Sequence, residues 1–327
     1  MENMDSNTHI RVGVMRGGRG HEYEVSLKTG GSVLEHLPSK YKGYDILITK
    51  DGTWHLEGVP VTAAELANRV DVVFNALHGE YGEDGKVQRD LSSLAIPFTG
   101  SGVYASAIAM NKLLSKDHLK EAPFKVPLSV VVQRGEDMNK RTLELFRSFP
   151  QPCIIKPISG GSSVGVSIAR SFNELLALLE EGLETADAVL VEEYIKGREA
   201  TVGVIDAYRG AEHYVLPVIE IRVPKQHDFF NYEAKYSEET DHICPGNFTK
   251  EEKQALEKAA QFAHKTLGLK HYSRSDFIVS PRGIYFLEAN TLPGLTGVSL
   301  FPKALKAVGA NLSEFIDHVL TRALHRK

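Results

Sequence analysis

The sequence predicts an α/β protein of three units, on three observations. Its 327 residues are about twice the usual single-domain length. Strand-like apolar runs alternate with helically spaced ones, and beyond Gly197 that alternation gives way to long β runs. Ile10 to Met15 reads as the first strand. Glu24 to Leu37 places Val25, Leu27, Val33, Leu34 and Leu37 at helical spacing, and Tyr44 to Ile48 and Val70 to Leu77 read as strands. Together they predict βαβ layering over a parallel sheet. Gly100-Ser101-Gly102 breaks the pattern, and Val103 to Lys120 reads as one helix with Ala105, Ala107, Ile108 and Leu113 on its apolar side. The first boundary falls there, giving units over 1–102, 103–197 and 198–327.

The central unit reads as strand Ser129 to Gln133, helix near Arg141 to Phe149, strands Cys153 to Pro157 and Val164 to Ala169, helix Phe172 to Leu183 and strand Ala188 to Ile195. The short Gly-Ser loop at Ser159 to Ser163 predicts a hairpin. The third unit carries long strands at Thr201 to Ile205 and His213 to Val223, a helix over Glu251 to Leu267, strands Asp276 to Ser280 and Ile284 to Glu288, and two closing helices. No internal repeat is visible. Pro224 to Asn247 is long, polar and aromatic, and a loop of that length in a compact domain reads as a lid, placed at 224–247.

Composition excludes several classes. Hydrophobic residues at 42% and charged residues at 24% are globular values, against collagenous, coiled-coil or disordered chains. A net charge of -4 and a pI near 6.4 provide no field for gathering phosphate backbones, so no nucleic-acid partner is expected. Cys153 and Cys244 are too few for a disulfide framework or a four-ligand zinc site and are read as reduced thiols, one in a strand and one in a loop. Met1 to Thr8 has no apolar core, and no run approaches the roughly 20 apolar residues that span a bilayer. The expectation is a cytoplasmic protein with no membrane partner.

Gly17-Gly18-Arg19-Gly20 lies between a strand and a helix, where backbone N–H groups could meet an anion. A dinucleotide fingerprint fails because the third glycine position falls on Tyr23. Gly161-Ser162-Ser163-Val164-Gly165 matches the form of a nucleophile elbow, but a strand follows it where the elbow needs a helix. Lys156 ends a strand before that loop, so its ammonium and the loop N–H groups could surround a polyphosphate; the alternative is a solvated lysine. No P-loop pattern occurs.

Asp276 lies on one strand, and Glu288 and Asn290 alternate on the next, so two carboxylates and an amide oxygen can converge on one face. Oxygen ligands suit Mg²⁺, with surface acids at strand ends as the alternative, and no His/Cys cluster competes for a softer metal. Arg274 shares the face of Asp276, either to stabilise developing negative charge or to form a salt bridge. Glu192, Glu193 and Glu199 stand at a hinge where a carboxylate could accept from an amino group or a ribose hydroxyl, or be solvated. His78 ends a strand, where a lone histidine is more often structural.

Taken in order, the motifs resemble the ATP-grasp superfamily and, within it, the D-alanine–D-alanine ligase family, from about Arg11 to Arg322. They are Gly17-Gly18 with Glu22 to Leu27, Ala76 to Gly79 with Gly82 to Gly85, Thr99 to Gly102 with Ala105, Ser106 and Lys112, and Lys156-Pro157 with Gly161 to Gly165. Next are Glu192 to Tyr194, Gly197 to Glu199, Tyr232 to Tyr236, Arg274 to Asp276, and Glu288 to Gly294 with Ser299-Leu300. The resemblance implies a three-domain ATP-grasp architecture, an N-terminal parallel-sheet domain followed by two α+β domains that grasp the nucleotide.

It also implies residue roles. Lys112 and Lys156 would sit on the ATP phosphates, with Lys235 reaching from the lid, and Ser162 and Ser163 in the nucleotide loop. Glu192 would hold the adenine amino group, the backbone from Glu193 to Ile195 the ring edge, and Glu199 the ribose. Asp276, Glu288 and Asn290 would hold two Mg²⁺, or Mn²⁺ in their place. Glu22, with His78 nearby, would take the first D-alanine's ammonium, and Ser299 with the Leu300 N–H the second one's carboxylate. Arg274 and the Gly294 N–H would stabilise the tetrahedral oxyanion, while Ser162 and Tyr236, bonded with Glu22, fasten the lid.

The implied reaction is ATP-dependent joining of two D-alanines through an acyl phosphate, for peptidoglycan precursors, by a homodimer paired through the N-terminal domains. Tyr236, being uncharged, favours an amine acceptor over a hydroxy acid. A D-alanine–D-serine ligase, another ATP-grasp carboxylate–amine ligase and an inactive Mg-ATP-binding module are the alternatives. Gly20, Gly160, Ala200 and Val298 depart from the family pattern without removing a proposed ligand.

Overall fold

The computed structural model describes residues 9–161, 165–222 and 240–325. The first sheet is made of β1 (Ile10–Gly17), β2 (Tyr41–Ile48), β3 (Trp54–Leu56), β4 (Val59–Val61) and β5 (Val72–Asn75), in the order β4-β3-β2-β1-β5. β2 and β5 both run parallel to β1, and helix α1 (Tyr23–Glu35) makes the crossover, as the apolar spacing predicts. The sheet is not parallel throughout. β3 and β4 extend it as an antiparallel hairpin turned by Glu57 and Gly58 at φ 50° and 80°. Helices α2 (Ala63–Leu66), with a Thr62/Glu65 capping box, and α3 (Lys86–Ser93) complete this part.

The helix expected from Val103 to Lys120 is two helices, α4 (Val103–Met110) and α5 (Lys112–His118). Asn111 divides them at φ −91° and ψ 109°, because its side chain accepts from the Leu113 and Leu114 N–H groups and so caps α5 instead of continuing α4. The central sheet contains β6 (Ser129–Gln133), β7 (Cys153–Pro157), β8 (Ser167–Ala169) and β9 (Ala188–Glu193), antiparallel in the order β6-β9-β7-β8. β7 and β8 form the expected hairpin, with β8 starting at Ser167 instead of Val164. Helices α6 (Met138–Ser148) and α7 (Phe172–Thr185) pack together beside it.

The third sheet is built on β10 (Arg198–Tyr208). The run expected from His213 to Val223 is interrupted at Leu216-Pro217-Val218, since Pro217 has no N–H for a ladder. It forms β11 (Ala211–Val215) and β12 (Ile219–Arg222), which pair with successive stretches of β10. β13 (Asp241–Ile243) pairs with β12, so the end of the expected loop 224–247 is an edge strand. Helix α8 (Lys250–Thr266) starts at a Thr249/Glu252 capping box, and β14 (Tyr272–Ser280) and β15 (Gly283–Asn290) follow as antiparallel neighbours of β10. Helices α9 (Leu300–Ala307) and α10 (Leu312–Leu324) close the chain.

The cores set the mechanics. Val12, Val14, Val72 and Phe74 of the first sheet share one buried cluster with Tyr272, Phe301, Phe315, Ile316 and Val319 of the last unit. Ala109 of α4, Leu119 and the half-buried Phe124 pack with Val202, Phe277 and Phe286 in a second cluster under α8. The central sheet keeps a smaller core of its own, around Ile155, Leu175, Leu179 and Val191. Among the described residues no helix is long and apolar enough to cross a membrane. Cys153 and Cys244 are free thiols, as expected.

Candidate functional site

A cleft lined by Lys112, Gly160, Gly161, Glu288 and Asn290 has a basic wall on α5, adjoined by buried groups of the central sheet. Lys156 on β7 and Glu192 on β9 are diagonal neighbours, because Glu192 faces Ile154 in register, and Lys156 Nζ lies 2.7 Å from Glu192 Oε1. Lys116 pairs with Glu192 Oε2. Lys112, one turn before Lys116 on α5, donates to the Gly160 carbonyl at 2.6 Å and stands 3.8 Å from Glu288 Oε2. All four groups are buried. Burial pulls Lys156 down to about 7, helped by the Lys112 charge and opposed by Glu288 and Lys116. Burial, then Lys156 and Lys112, likewise hold Lys116 well below the ordinary lysine range. Glu192, expected at the adenine amino group, therefore holds two lysine side chains here. Lys116 is a site residue that the sequence reading passed over, although its i, i+4 spacing from Lys112 puts it on the same helix face.

The facing wall is acidic and comes from β14 and β15. Asp276 lies opposite Glu288 and Arg274 opposite Asn290, with Ala289 buried on the other face, as the alternation predicts. Arg274 grips Asp276 through Nε to Oδ1 and Nη2 to Oδ2, both 3.0 Å, and the Asn290 amide donates to Asp276 Oδ2 at 3.1 Å. Thr201 Oγ1 of β10 also donates to Asp276. Asp276, Glu288 and Asn290 thus form an all-oxygen donor set suited to a hard divalent cation, with Arg274 and Lys112 balancing its charge in this structure.

The first unit brings in Glu22, His78 and Glu83. Glu22 sits just before α1, and its carboxylate fills the space beside two glycines: a methyl group on Gly79 would collide with Glu22 Oε2, and one on Gly161 would lie 2.8 Å from it. His78 is buried and bonded through Nε2 to Thr29 Oγ1 at 2.8 Å. Glu83 falls within the Gly82 to Gly85 motif, and the resemblance implies no role for it. Its Oε1 accepts from the Thr291 N–H, the Thr291 hydroxyl and the Leu292 N–H at 2.9 to 3.1 Å, and its Oε2 from the Gly79 N–H at 3.0 Å. It therefore ties the Gly79 loop to the strand end that carries Asn290. Ser299 Oγ shares a hydrogen bond with Thr296 Oγ1 and lies against Gly294, while Leu300 opens α9 with its N–H at the helix start.

Several expectations change. The Gly17 and Gly18 N–H groups offer nothing to an anion, because they donate to Ser26 Oγ and the Ile48 carbonyl. The Glu193 N–H is likewise committed to the Leu128 carbonyl, while Ile195 is buried nearby and Glu199 is half-buried between Ile221 and Ile278. Gly160 departs from the family pattern for a backbone reason, its φ of 126°. Ser162, Ser163, Lys235 and Tyr236 lie outside the described residues. Away from the Asp276 set, Asp206, His213 and His264 converge behind the third sheet, a grouping that the sequence does not announce.

The sequence matches known proteins over nearly its whole length. A family described as D-ala D-ala ligase C-terminus matches residues 113–321, and one described as D-ala D-ala ligase N-terminus matches 56–101. The D-alanine–D-alanine ligase of Geobacter sulfurreducens is 39% identical over 316 residues, covering 96% of this chain and 94% of that protein. Among solved structures, the VanG D-Ala:D-Ser ligase from Enterococcus faecalis superposes with a TM-score of 0.85 at 29% identity, covering 96% of this chain and 99% of that one. The Bacillus anthracis D-alanine–D-alanine ligase complexed with ATP gives 0.79 at 33% identity, with coverage of 96% and 97%.

Proposed function

The chain belongs to the D-alanine–D-alanine ligase family, and from that premise we propose that it joins two D-alanines, with conversion of ATP to ADP and phosphate, for peptidoglycan precursor synthesis. The observation that carries the reading is the pair of facing walls: buried lysines on one side of a cleft, carboxylates on the other, and Lys112 reaching within 3.8 Å of Glu288 across it.

A carboxylate oxygen of the first D-alanine attacks the γ-phosphorus, forming an acyl phosphate as the bond to ADP breaks. The amine of the second D-alanine attacks the acyl carbon, phosphate leaves with the C–O electron pair, and the amine gives up a proton. Glu22 draws in the first ammonium beside His78. Lys112 and Lys156 would meet the phosphates, and the same role is proposed for Ser162, Ser163 and Lys235, with Tyr236 proposed to fasten the lid. Asp276, Glu288 and Asn290 would hold two Mg²⁺, or Mn²⁺, and those ions supply neutralisation of phosphoryl charge. Arg274 and the Gly294 N–H stabilise the oxyanion, and Ser299 with the Leu300 N–H holds the second carboxylate. The nucleotide base lies along Glu192, Glu193 and Ile195, its ribose at Glu199.

The enzyme works in the cytoplasm as a homodimer. Its units are 1–102, 103–197 and 198–327, with α4 and α5 bridging from the third core to the central cleft. D-serine as second substrate is the other reading, supported by the likeness to the Enterococcus faecalis ligase. The test is ADP release from Mg-ATP with D-alanine, L-alanine, or D-alanine plus D-serine, with the product identified by chromatography. D-alanine alone should give ADP and dipeptide in equal amounts; a mixed dipeptide dominating at equal concentrations would replace the first reading with the second. Nucleotide binding without turnover would reduce the chain to a binding module.

A further inference from the structure

The back of the third sheet holds a side-chain cluster that the ligase reaction does not use. Asp206 on β10 faces His213 on β11 in register, and His264 projects from α8 onto the same carboxylate. Asp206 Oδ1 lies 2.8 Å from His213 Nδ1 and 2.9 Å from His264 Nε2, and the three donor atoms lie within 4.8 Å of one another. The surrounding bonds orient each donor. His264 Nδ1 meets Ser273 Oγ at 2.7 Å, the His271 N–H holds Asp206 Oδ2 at 2.7 Å, and Glu212 stands 3.8 Å from His213 Nε2.

We propose that Asp206, His213 and His264 form a binding site for one zinc-type divalent transition ion, separate from the oxygen-donor set of the catalytic cleft. Two imidazoles and one carboxylate suit Zn²⁺ and its neighbours, whereas Mg²⁺ prefers oxygen alone. Tetrahedral zinc bonds of about 2.0–2.1 Å separate adjacent ligands by about 3.3 Å, so each histidine nitrogen parts from Asp206 Oδ1 by about half an ångström while the two rings, already within 4.8 Å of each other, converge on the same point. His213 Nδ1 and His264 Nε2 face the Asp206 carboxylate as hydrogen-bond donors, so taking an ion moves each ring's hydrogen to its other nitrogen, which meets Ser273 Oγ in His264 and faces Glu212 in His213. His264 is buried, while the partly exposed His213 provides the route in. The ion would pin α8 and β11 to the far end of β10.

Metal-stripped full-length protein, held in millimolar Mg²⁺ to occupy the catalytic carboxylates, is titrated with Zn²⁺ against a chromophoric chelator. One Zn²⁺ per chain is expected for the wild type and for Glu288→Gln, and none for His213→Ala, whose ligase turnover should match the wild type. Co²⁺ in the wild type should give the intense visible bands of a low-coordinate nitrogen-containing site, a readout that needs no variant. Zn²⁺ should also raise the unfolding midpoint by several degrees in the wild type alone. Unchanged Zn²⁺ binding by His213→Ala, loss of it in Glu288→Gln, or only the weak bands of octahedral cobalt would overturn the proposal.

Discussion

The two walls of the cleft solve opposite electrostatic problems. The central wall buries Lys156 and Lys116 around a single carboxylate, Glu192, so positive charge is in excess. The wall on β14 and β15 gathers Asp276 and Glu288 and answers them with Arg274 and Lys112. Crowded buried bases are pushed down, as Lys156 and Lys116 are, whereas Arg274, against the cost of burial, is pushed up by Asp276 and Glu288. The walls also differ in support. The third sheet shares its packing with the first unit through Phe301 and Phe315, while the central sheet rests on its own small core. The contrast sets a face anchored in a shared core against one that rests on a small core of its own.

The sharpest way to break that contrast is at Arg274, where two roles compete. As an oxyanion stabiliser it acts in the transition state, so Arg274→Leu should lower kcat by about 10³-fold, near 4 kcal/mol, with the ATP KM changed only a few-fold. Steady-state ADP release measures both constants. A raised ATP KM at normal kcat would leave Arg274 as nothing more than the partner of Asp276.

Leu179→Ala tests the mechanical half. Leu179 is fully buried in the central core, and truncation there should lower stability by about 3 kcal/mol. Amide exchange should accelerate over β6 to β9 and leave β1, β2 and β14 protected. Equal acceleration in the first sheet would mean that the central unit does not yield separately.

Much of this architecture was legible in the sequence, and the misses have physical causes. Strands β1, β7 and β15 declared themselves through apolar runs, and Glu288 and Asn290 through strict alternation. The break at Asn111 was hidden because the apolar spacing continues across it, and only the side-chain cap decides against a single helix. Strands β3 and β4 are three residues each, too short for periodicity to register. Lys116 had a readable signal in its spacing from Lys112. Asp206, His213 and His264 had none, since the last is 58 positions from the first and meets it only when α8 packs on the sheet.

Lys156 sharpens the electrostatic comparison through pH. A buried lysine lowered from 10.5 to about 7 binds fewer protons folded than unfolded between those values, so the nucleotide-free fold loses stability as pH falls across that window. Phosphates beside the ammonium raise its pKa again, so ATP binding should take up close to one proton near pH 8. Affinity should therefore weaken by up to tenfold, about 1.4 kcal/mol, for each pH unit above 7. Calorimetry in buffers of different ionisation enthalpy counts the proton. Lys156→Arg, charged throughout, should abolish the uptake; uptake persisting in that variant would assign it to Lys116.

The smallest expected effect concerns the joint between the walls. Asn111 pairs with Ser159 across an isolated bridge, and the Lys112 N–H donates to the Ile158 carbonyl at 2.9 Å, so α5 is stitched to the loop after β7 where α4 leaves the third core. Asn111→Ala removes the cap from the Leu113 and Leu114 N–H groups and should cost about 1 kcal/mol of stability. Lys112 is the next residue, so the same loosening should raise the ATP KM several-fold while kcat at saturating ATP stays near normal. Asn111→Asp keeps an acceptor at the cap and should restore both values. If Asp restores stability but not KM, the joint holds the helix without holding Lys112 in place, and the two walls are positioned independently of each other.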